Sequence, residues 1–469
     1  MKKRIAAEWE PAKGVLVSWP PLLPRKIFEE FNKDTIMYVM VMDNDAEKDG
    51  KAKFLEWGLN MERIRFIMTP PPGGKSFWGN YWVRDWGPYA LFDEHGEMSL
   101  LCGRFCSTPA VHFDRPTELM EVATDDVPVD LNKPTGPETY MTGEIADYFG
   151  WKHRELPYAL IGGNVLTDGL DLLLSSETLL EENRQMNHFD PETFIDSVTQ
   201  ETGMTSYAIT GIYEDFGIQH LDCIVKVIDE DTLFVAKPPA DHPYYERIEK
   251  IVNECFSKVK NYYGRPFRII RFDTDRYQGD ELAAYSNSLI LNKTVYVPMF
   301  GIECDKKALD SWRRVMPGYS VKGIEYHIAD EPESQEPMSQ LYENIGWYAG
   351  DALHCRTRAV WDPDMLYISV NKIPYYTDSE SQKVEVIIKN YGKCDKVKKA
   401  ELFYRVTGTE DWKNVPLRQT CILNRYEAEI PGTMLGTSID YYIEAETETG
   451  NRAQRPITAP EGYFQYIVK

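Results

Sequence analysis

Residues 288–327, SLILNKTVYVPMFGIECDKKALDSWRRVMPGYSVKGIEYH, contain the unit on which the larger part of this chain is built. Two short apolar segments, SLILN (288–292) and TVYVPMFG (294–301), are typical of strands because β-branched and other apolar residues predominate. The following DKKALDSWRRVMPG predicts a helix that Pro317 and Gly318 stop. VKGIEYH then predicts another strand. The order strand, strand, helix, strand indicates an α/β unit.

Similar units recur about every 60–80 residues up to about residue 360, with negligible residue identity between them. Further predicted strands are GVLVSW (14–19), TIMYVMVM (35–42), IRFIMT (64–69) and FRIIRF (267–272). Residues 242–264 predict a helix, because apolar residues recur at three- and four-residue steps before Gly264. The repeat fits either a ring of α/β units around a central site or any mixed α/β domain, and the pattern alone leaves both open.

After Val370 the chain changes to short alternating strands, most of them separated by Gly, Asn, Asp or Pro, with no helix pattern. About 95 residues of this kind predict a small β-sandwich of immunoglobulin type. The Cys…Trp…Cys signature of true immunoglobulin domains is absent, so the prediction concerns architecture only. We place an α/β domain over residues 1–370 and a separately folding sandwich over 371–469, with the linker in NKIPYYTDSESQK.

The charge of the 469-residue chain excludes several partners. It has 52 Lys and Arg against 74 Asp and Glu, a net charge of −22. An acidic chain repels phosphate backbones and anionic lipid, so nucleic acid and membrane surfaces are poor partners. No run of about 18 apolar residues could span a bilayer. The N-terminal MKKRIAAEWEPAKG lacks the apolar core of a signal peptide, which makes the cytoplasm the default and leaves secretion open.

The eight cysteines are scattered without a CxxC pair, which predicts mostly reduced thiols and no zinc site. Four segments carry polar side chains where ordinary strands would not place them. They hold Trp82, Arg84 and Asp85 in YWVRDWGP (81–88), His220 and Asp222 in QHLD (219–222), Asn287 before SLILN, and Cys355 in LHC (353–355).

Each segment has a plain explanation when taken alone. Arg84 and Asp85 could form an internal salt bridge at a strand end. His220 and Asp222 lie two apart, so on an extended strand both would point to one face. Cys355 follows a Gly-rich turn, where a thiol can be exposed and activated, although most lone cysteines are inert.

Taken together and in this order, the segments resemble one family. EWEPAKGVLVSWP (8–20), YWVRDWGP, GGNVLTDG (162–169), QHLD, YSNSLILN followed by VYVP, and LHC match agmatine deiminases and bacterial peptidylarginine deiminases of the guanidine-modifying superfamily. The resemblance covers residues 1 to about 360. It implies a five-bladed, pseudo-symmetric α/β propeller (pentein). The added sandwich is similar to that of the bacterial peptidylarginine deiminases, since plain agmatine deiminases usually lack one.

The resemblance also implies how a substrate is held. Asp85 and Asp222 would clamp the guanidinium, because two carboxylates can pair with its nitrogens and fix its plane. Trp82 would form a wall against the alkyl stem and the guanidinium face. Asn287 matches the active-site asparagine of the family.

Catalysis would depend on Cys355 as nucleophile and His220 as general acid and base. The thiolate adds to the guanidinium carbon, ammonia leaves, and water hydrolyses the covalent intermediate to a ureido product. No metal or organic cofactor is implied, and no EF-hand loop for calcium is present.

Three departures from the family pattern bear on the substrate. Asp351 replaces a glycine of the Gly-Gly run before the cysteine, which adds a carboxylate near the thiol. Arg115 is the remaining arginine of an Arg-Pro-Arg segment that holds the substrate carboxylate in relatives. Ile161 precedes Gly162-Gly163, where agmatine enzymes commonly have an acid.

The sequence therefore predicts a guanidine deiminase that converts peptidyl-arginine to citrulline with release of ammonia. Agmatine, with N-carbamoylputrescine as product, is the alternative substrate. An amine-accepting transferase would use the same nucleophile. The non-enzymatic alternative is a degenerate deiminase fold kept as a binding module. The sequence leaves the oligomeric state open.

Overall fold

The computed structural model describes residues 2–70, 81–104, 140–186, 188–214, 219–277, 279–326, 346–347, 351–378, 380–391 and 395–469. They form five small mixed sheets up to Trp361 and two further sheets beyond it. None of the helices in these ranges is both long enough and apolar enough to cross a bilayer.

Each of the five sheets contains an antiparallel pair followed by a parallel strand. In the unit quoted above, Leu289–Leu291 pairs antiparallel with Thr294–Met299, which pairs in parallel with Ser320–Glu325. Helix Cys304–Val315 makes the crossover that parallel neighbours require. The predicted strand–strand–helix–strand unit is confirmed.

The other four sheets contain these strands: Ala12–Ser18, Ile36–Val41, Ile64–Met68 and Arg358–Trp361; Arg4–Ile5, Tyr89–Phe92, Met98–Arg104 and Lys152–Ala159; Leu166–Thr167, Leu172–Ser176 and Ser206–Thr210; Val225–Asp229, Thr232–Lys237 and Arg268–Asp273. The remaining α-helices are Arg25–Asp34, Asn44–Glu56, Val83–Trp86, Tyr140–Phe149, Thr178–Met186, Pro191–Thr202 and Tyr245–Ile251, the last continued by a π-helical turn over Val252–Phe256. Short 3₁₀ helices span Met61–Arg63 and Leu221–Cys223.

The last strand of this region completes its first sheet. Arg358–Trp361 pairs antiparallel with Ala12–Ser18, which is parallel to Ile36–Val41. Because of this pairing, the turn that carries Cys355 lies beside the N-terminal segment. Residues more than 340 positions apart in sequence are thereby brought into contact.

Three local predictions were wrong. Residues 81–88 do not form a strand: Val83–Trp86 is a single helical turn, held by the N–H of Arg84 donating to the carbonyl of Cys355 at 3.0 Å. QHLD is not extended, because Leu221–Cys223 forms a 3₁₀ turn. The helix predicted over 242–264 ends at Phe256, and the Asn261 side chain then accepts backbone N–H groups in a competing turn.

Beyond Trp361 the described chain is all β. One sheet contains Leu366–Asn371, Gln382–Asn390, Arg425–Ile430 and Arg418–Gln419, and the other contains Tyr376–Thr377, Phe464–Val468, Ser438–Thr447, Val397–Val406, Lys413–Pro416 and Arg452–Arg455. Apolar side chains of both sheets share one core, as a sandwich requires. The immunoglobulin type remains a prediction.

The sandwich is joined closely to the α/β region. Its first strand, Leu366–Asn371, begins before the predicted boundary at 370/371 and forms one edge of the four-stranded sheet. Arg455 donates to both carboxylate oxygens of Glu230 at 3.0 and 2.6 Å, and both side chains are buried. Lys372 lies 2.7 Å from Asp229. Buried ion pairs therefore connect the two regions.

Candidate active site

Five of the predicted site residues meet in one buried cluster. Cys355, His220, Asp222, Asp85 and Asn287 come from four separate segments, and each is at most 7% exposed. Trp82 lies at the edge of the cluster and is half-buried. Arg115, the predicted carboxylate anchor, lies outside the described residues.

Asn287 fixes the turn that carries the thiol. Its Oδ1 accepts the backbone N–H of His354 at 2.9 Å and that of Cys355 at 3.3 Å. Its Nδ2 lies 3.1 Å from the Cys355 sulfur. One side chain therefore holds both the backbone of the turn and the sulfur atom, which explains why an asparagine precedes the strand Leu289–Leu291.

Gly163 borders the space between the two aspartates and His220. A Cβ at this position would lie 2.6 Å from His220 Nδ1, 2.8 Å from Asp85 Oδ1 and 3.2 Å from Asp222 Oδ2. The Gly163 N–H also donates to Asp85 at 3.1 Å. The absence of a side chain here leaves three functional groups facing one small volume.

Asp85 and the Cys355 thiol lie among other carboxylates. Burial, followed by the charges of Asp222 and Asp351, raises the pKa of Asp85 well above its ordinary value. Burial and the same two carboxylates also raise the pKa of the Cys355 thiol. The expectation of an exposed, activated thiol was therefore wrong for the free site, because packing buries the turn and places carboxylates around the sulfur.

His220 is suited to accept a proton. Burial is the main reason that its pKa lies below the ordinary histidine value, which favours the neutral ring at neutral pH. Its Nδ1 is buried without a hydrogen-bond partner, 3.6 Å from Asp85 Oδ1. A buried polar atom of this kind calls for an explanation, and a ligand in the Gly163 space supplies one.

Asp351, the residue that departs from the family pattern, is not a free carboxylate. Arg356 binds it in a fork, with Nε 3.1 Å from Oδ1 and Nη2 2.9 Å from Oδ2. The indole N–H of Trp82 donates to Oδ2 at 3.1 Å. Asp351 thus orients the predicted aromatic wall, and its charge is balanced by a buried guanidinium.

Behind the thiol lie three further charged or titratable side chains that were not identified from the sequence, those of His354, Glu8 and Lys226. His354 contacts Asp222 through Nδ1 and Glu8 through Nε2, both at 2.7 Å. Lys226 lies 2.8 Å from Glu8. A lysine in the middle of the apolar segment CIVKVID was the available signal, since a buried strand seldom carries an unpaired cation.

The described cysteines form no disulfides, and the described acidic groups do not form a metal site. Among the described cysteines, Cys102, Cys223, Cys255, Cys304, Cys355 and Cys421 are free thiols, as predicted. Within the described ranges, no group of three or more His, Cys, Asp or Glu side chains is arranged to hold a metal ion.

With this geometry in view, comparison with known proteins identifies the family. Residues 4–329, more than two thirds of the chain, match the model of the Porphyromonas-type peptidyl-arginine deiminases. The chain belongs to this family. A provisionally named agmatine deiminase of Yersinia pestis is 26% identical to this deiminase over 347 residues, covering 68% of this chain and 89% of the relative.

Solved structures share the fold of the deiminase. A provisionally named arginine deiminase from Porphyromonas gingivalis superimposes with a TM-score of 0.57 at 19% identity, covering 76% of this chain and 98% of the other. The agmatine deiminase of Enterococcus faecalis gives a TM-score of 0.54 at 18% identity, covering 76% and 95%. The protein is thus an enzyme of the guanidine deiminase class, a hydrolase of guanidine C–N bonds.

Proposed function

We propose that this enzyme hydrolyses the guanidinium of peptidyl-arginine to citrulline and ammonia, and that the five sheets are the blades of a pentein propeller around the site. One observation carries the function: a neutral histidine and two carboxylates border the space that Gly163 leaves open, and the Cys355 sulfur lies 3.8 Å from one of them, Asp222. A buried carboxyl such as Asp85, whose pKa is raised by burial and then by the charge of Asp222, calls for a cationic ligand. A guanidinium group has the charge and the planar donor array to pair with both.

In the first half-reaction Asp85 and Asp222 bind the guanidinium and turn its carbon toward Cys355. The charge of the cation offsets the carboxylates that disfavour a thiolate, so His220 can accept the thiol proton. Sulfur then bonds to the guanidinium carbon. His220 returns the proton to a terminal nitrogen, the C–N bond breaks and ammonia leaves.

In the second half-reaction a water molecule replaces the ammonia. His220 accepts a proton from the water while the water oxygen bonds to the former guanidinium carbon. The C–S bond breaks, the hydroxyl proton passes to the sulfur and regenerates the thiol, His220 releases its proton to solvent, and a ureido group remains. Asn287, 3.1 Å from the sulfur, keeps the thiol in place through both steps.

The side chains of Ile161 and Asp351 favour a substrate that has no second positive charge besides its guanidinium. Ile161, which precedes the Gly-Gly pair, is buried and apolar, so it offers no counter-charge. The charge of Asp351 is already balanced by Arg356. Agmatine carries an ammonium group in addition to its guanidinium, whereas an internal peptidyl-arginine does not.

Agmatine remains the second candidate, because provisionally named agmatine deiminases are among the relatives that cover two thirds of this chain. Ammonia release from equal concentrations of agmatine, free arginine and peptides with internal or C-terminal arginine separates the substrates. We expect the highest kcat/KM with an arginyl peptide. A preference for agmatine would overturn the peptidyl-arginine proposal while keeping the chemistry.

Two cysteine variants test the chemistry itself. Cys355→Ser should lose at least about 1,000-fold in rate on every substrate, because a hydroxyl is a much weaker nucleophile at neutral pH. Cys255→Ser, in the π-helical turn Val252–Phe256, is the matched control and should keep full activity. Substantial turnover by purified Cys355→Ser protein would remove Cys355 from its role. No ammonia from any guanidine with the unmodified enzyme would favour the binding-module alternative.

A further inference from the structure

His354, the residue before the proposed nucleophile, uses both ring nitrogens on carboxylates. Nδ1 lies 2.7 Å from Asp222 Oδ2, and Nε2 lies 2.7 Å from Glu8 Oε2. The ring is 1% exposed. It therefore links Asp222, a carboxylate of the site, to Glu8, whose side chain is 12% exposed.

The far end of this link is firmly held. Glu8 Oε2 is also 2.8 Å from Lys226 Nζ, and Glu8 Oε1 accepts the N–H of Ile290 at 2.8 Å. Lys226 donates to the carbonyl of Ser288 at 2.6 Å. Two neighbouring sheets therefore fix Glu8, and Glu8 fixes the orientation of the His354 ring.

Proton counting limits what this link can be. Two hydrogen bonds from one imidazole to two carboxyl groups require two protons. These protons are either both on the ring, or one on the ring and one on a carboxyl. Both distributions give Glu8, His354 and Asp222 a combined charge of −1, which Lys226 balances. The four side chains form a neutral buried unit.

We propose that Lys226, Glu8 and His354 are a positioning relay that keeps Asp222 ionised and directed at the substrate cation. The inference rests on the proposed function, because only a cationic substrate requires Asp222 in this state. His354 does not reach the substrate and is a positioning residue.

The charges around Asp222 explain why a relay is needed. Burial alone would raise the pKa of Asp222, but the hydrogen bond and the charge of His354 bring it below the ordinary value. The titratable and charged groups that face Asp222 and His354 are Glu8, Asp85, Arg84, His220, Lys226 and Asp351, with the thiols of Cys223 and Cys355 and the phenol of Tyr213. Without His354, burial would favour neutral Asp222.

Two substitutions of His354 separate the two hydrogen bonds. The amide of His354→Asn can stand where Nδ1 lies and can still donate to Asp222. The amide of His354→Gln can stand where Nε2 lies and reaches Glu8 but not Asp222. The pH dependence of kcat/KM is measured for both, together with binding of an arginyl peptide to each variant in the non-turnover Cys355→Ser background.

For His354→Gln, we expect the acid limb of the pH profile of kcat/KM to move upward by about one pH unit. On that limb kcat/KM should fall about tenfold, and it should recover at higher pH. KM should change more than kcat. His354→Asn should keep the acid limb close to that of the unmodified enzyme. Glu230→Gln, in a buried pair at the sandwich junction, is the control, and it should lower stability without moving the limb.

The outcomes distinguish the relay from the proposed function. An active enzyme whose His354→Gln variant has an unmoved acid limb would overturn the relay alone. An unmodified enzyme that neither binds nor hydrolyses any guanidine would overturn both. If both His354 variants fail to fold, Glu8→Gln provides the same pH measurement, and the relay requires a smaller shift in the same direction.

Discussion

The junction with the sandwich and the active site both bury charged side chains, but they pair them differently. Two carboxylates near the junction each have their own guanidinium: Arg4 holds Glu10 at 2.6 and 2.9 Å, and Arg455 holds Glu230 at 3.0 and 2.6 Å. Arg4 also donates to Tyr391 of the sandwich at 3.0 Å. All of these charges are satisfied within the protein.

In the active site the pairing is incomplete. Asp85 is beside Asp222 and Asp351, its pKa is raised mainly by burial and then by these charges, and His220 Nδ1 has no partner. Complete pairing indicates a structural role, whereas a buried carboxyl such as Asp85, with no Lys or Arg ion pair among the described residues, indicates a place for a cationic ligand. This difference can be tested in both regions.

The largest expected effect lies at the junction. Glu230→Gln leaves the buried Arg455 without its counter-charge and should lower the free energy of unfolding by about 3–5 kcal/mol. Activity should be retained at temperatures where the variant stays folded. Denaturant unfolding and an ammonia assay measure the two effects, and an unchanged stability would mean that the pair is not structural.

A methyl group in the active-site space should abolish most activity with little effect on folding. Gly163→Ala places a Cβ less than 3 Å from His220 and Asp85, so kcat/KM should fall at least about 100-fold. Gly143→Ala is the matched control, because its Cβ would approach only His153, at 3.5 Å, inside helix Tyr140–Phe149. Full activity of Gly163→Ala would show that the substrate lies elsewhere.

The carboxylates around Cys355 should also determine which reagents its thiol reacts with. Since burial and three carboxylates raise the pKa of Cys355, neutral iodoacetamide should alkylate the free enzyme slowly at neutral pH. A haloacetamidine, which carries the charge of a guanidinium, should label Cys355 at least about tenfold faster. Mass spectrometry identifies the labelled residue. Equal labelling rates for the two reagents would show that the carboxylates around Cys355 do not favour a cationic reagent.

Neutralising one site carboxylate should raise stability, in contrast to the junction. A carboxyl whose pKa is higher in the folded than in the unfolded state binds extra protons when folded, so ionised Asp85 opposes folding as pH rises toward neutrality. Asp85→Asn should therefore gain about 1 kcal/mol in unfolding free energy at neutral pH while losing activity. If Asp85→Asn lost stability as Glu230→Gln does, the active site and the sandwich junction would not differ in how they pair their charges.

The smallest expected effect is the release of protons on binding. A bound cation lowers the pKa of Asp85, so an arginyl peptide that binds Cys355→Ser protein should release up to one proton per site, and affinity should rise with pH. Calorimetry in buffers of different ionisation enthalpy measures the release. Proton uptake on binding would contradict the assignment of Asp85 as the protonated partner.

The sequence by itself determined the repeating unit, the change to an all-β region after the repeat, and the motif order that indicates the family. These features depend on local periodicity and on residue types at fixed spacing, which a linear pattern records. Asn287, His220, Asp222, Asp85 and Cys355 were all found in this way. Their convergence in space was implied by the resemblance and was not derivable from any one segment.

Only the tertiary structure decided the environment of these residues. It made QHLD a 3₁₀ turn, buried Cys355 among carboxylates and paired Asp351 with Arg356. It also brought Glu8 to His354 across 346 positions in the chain. Burial and electrostatic coupling depend on which distant segments pack together, and no local pattern contains that information.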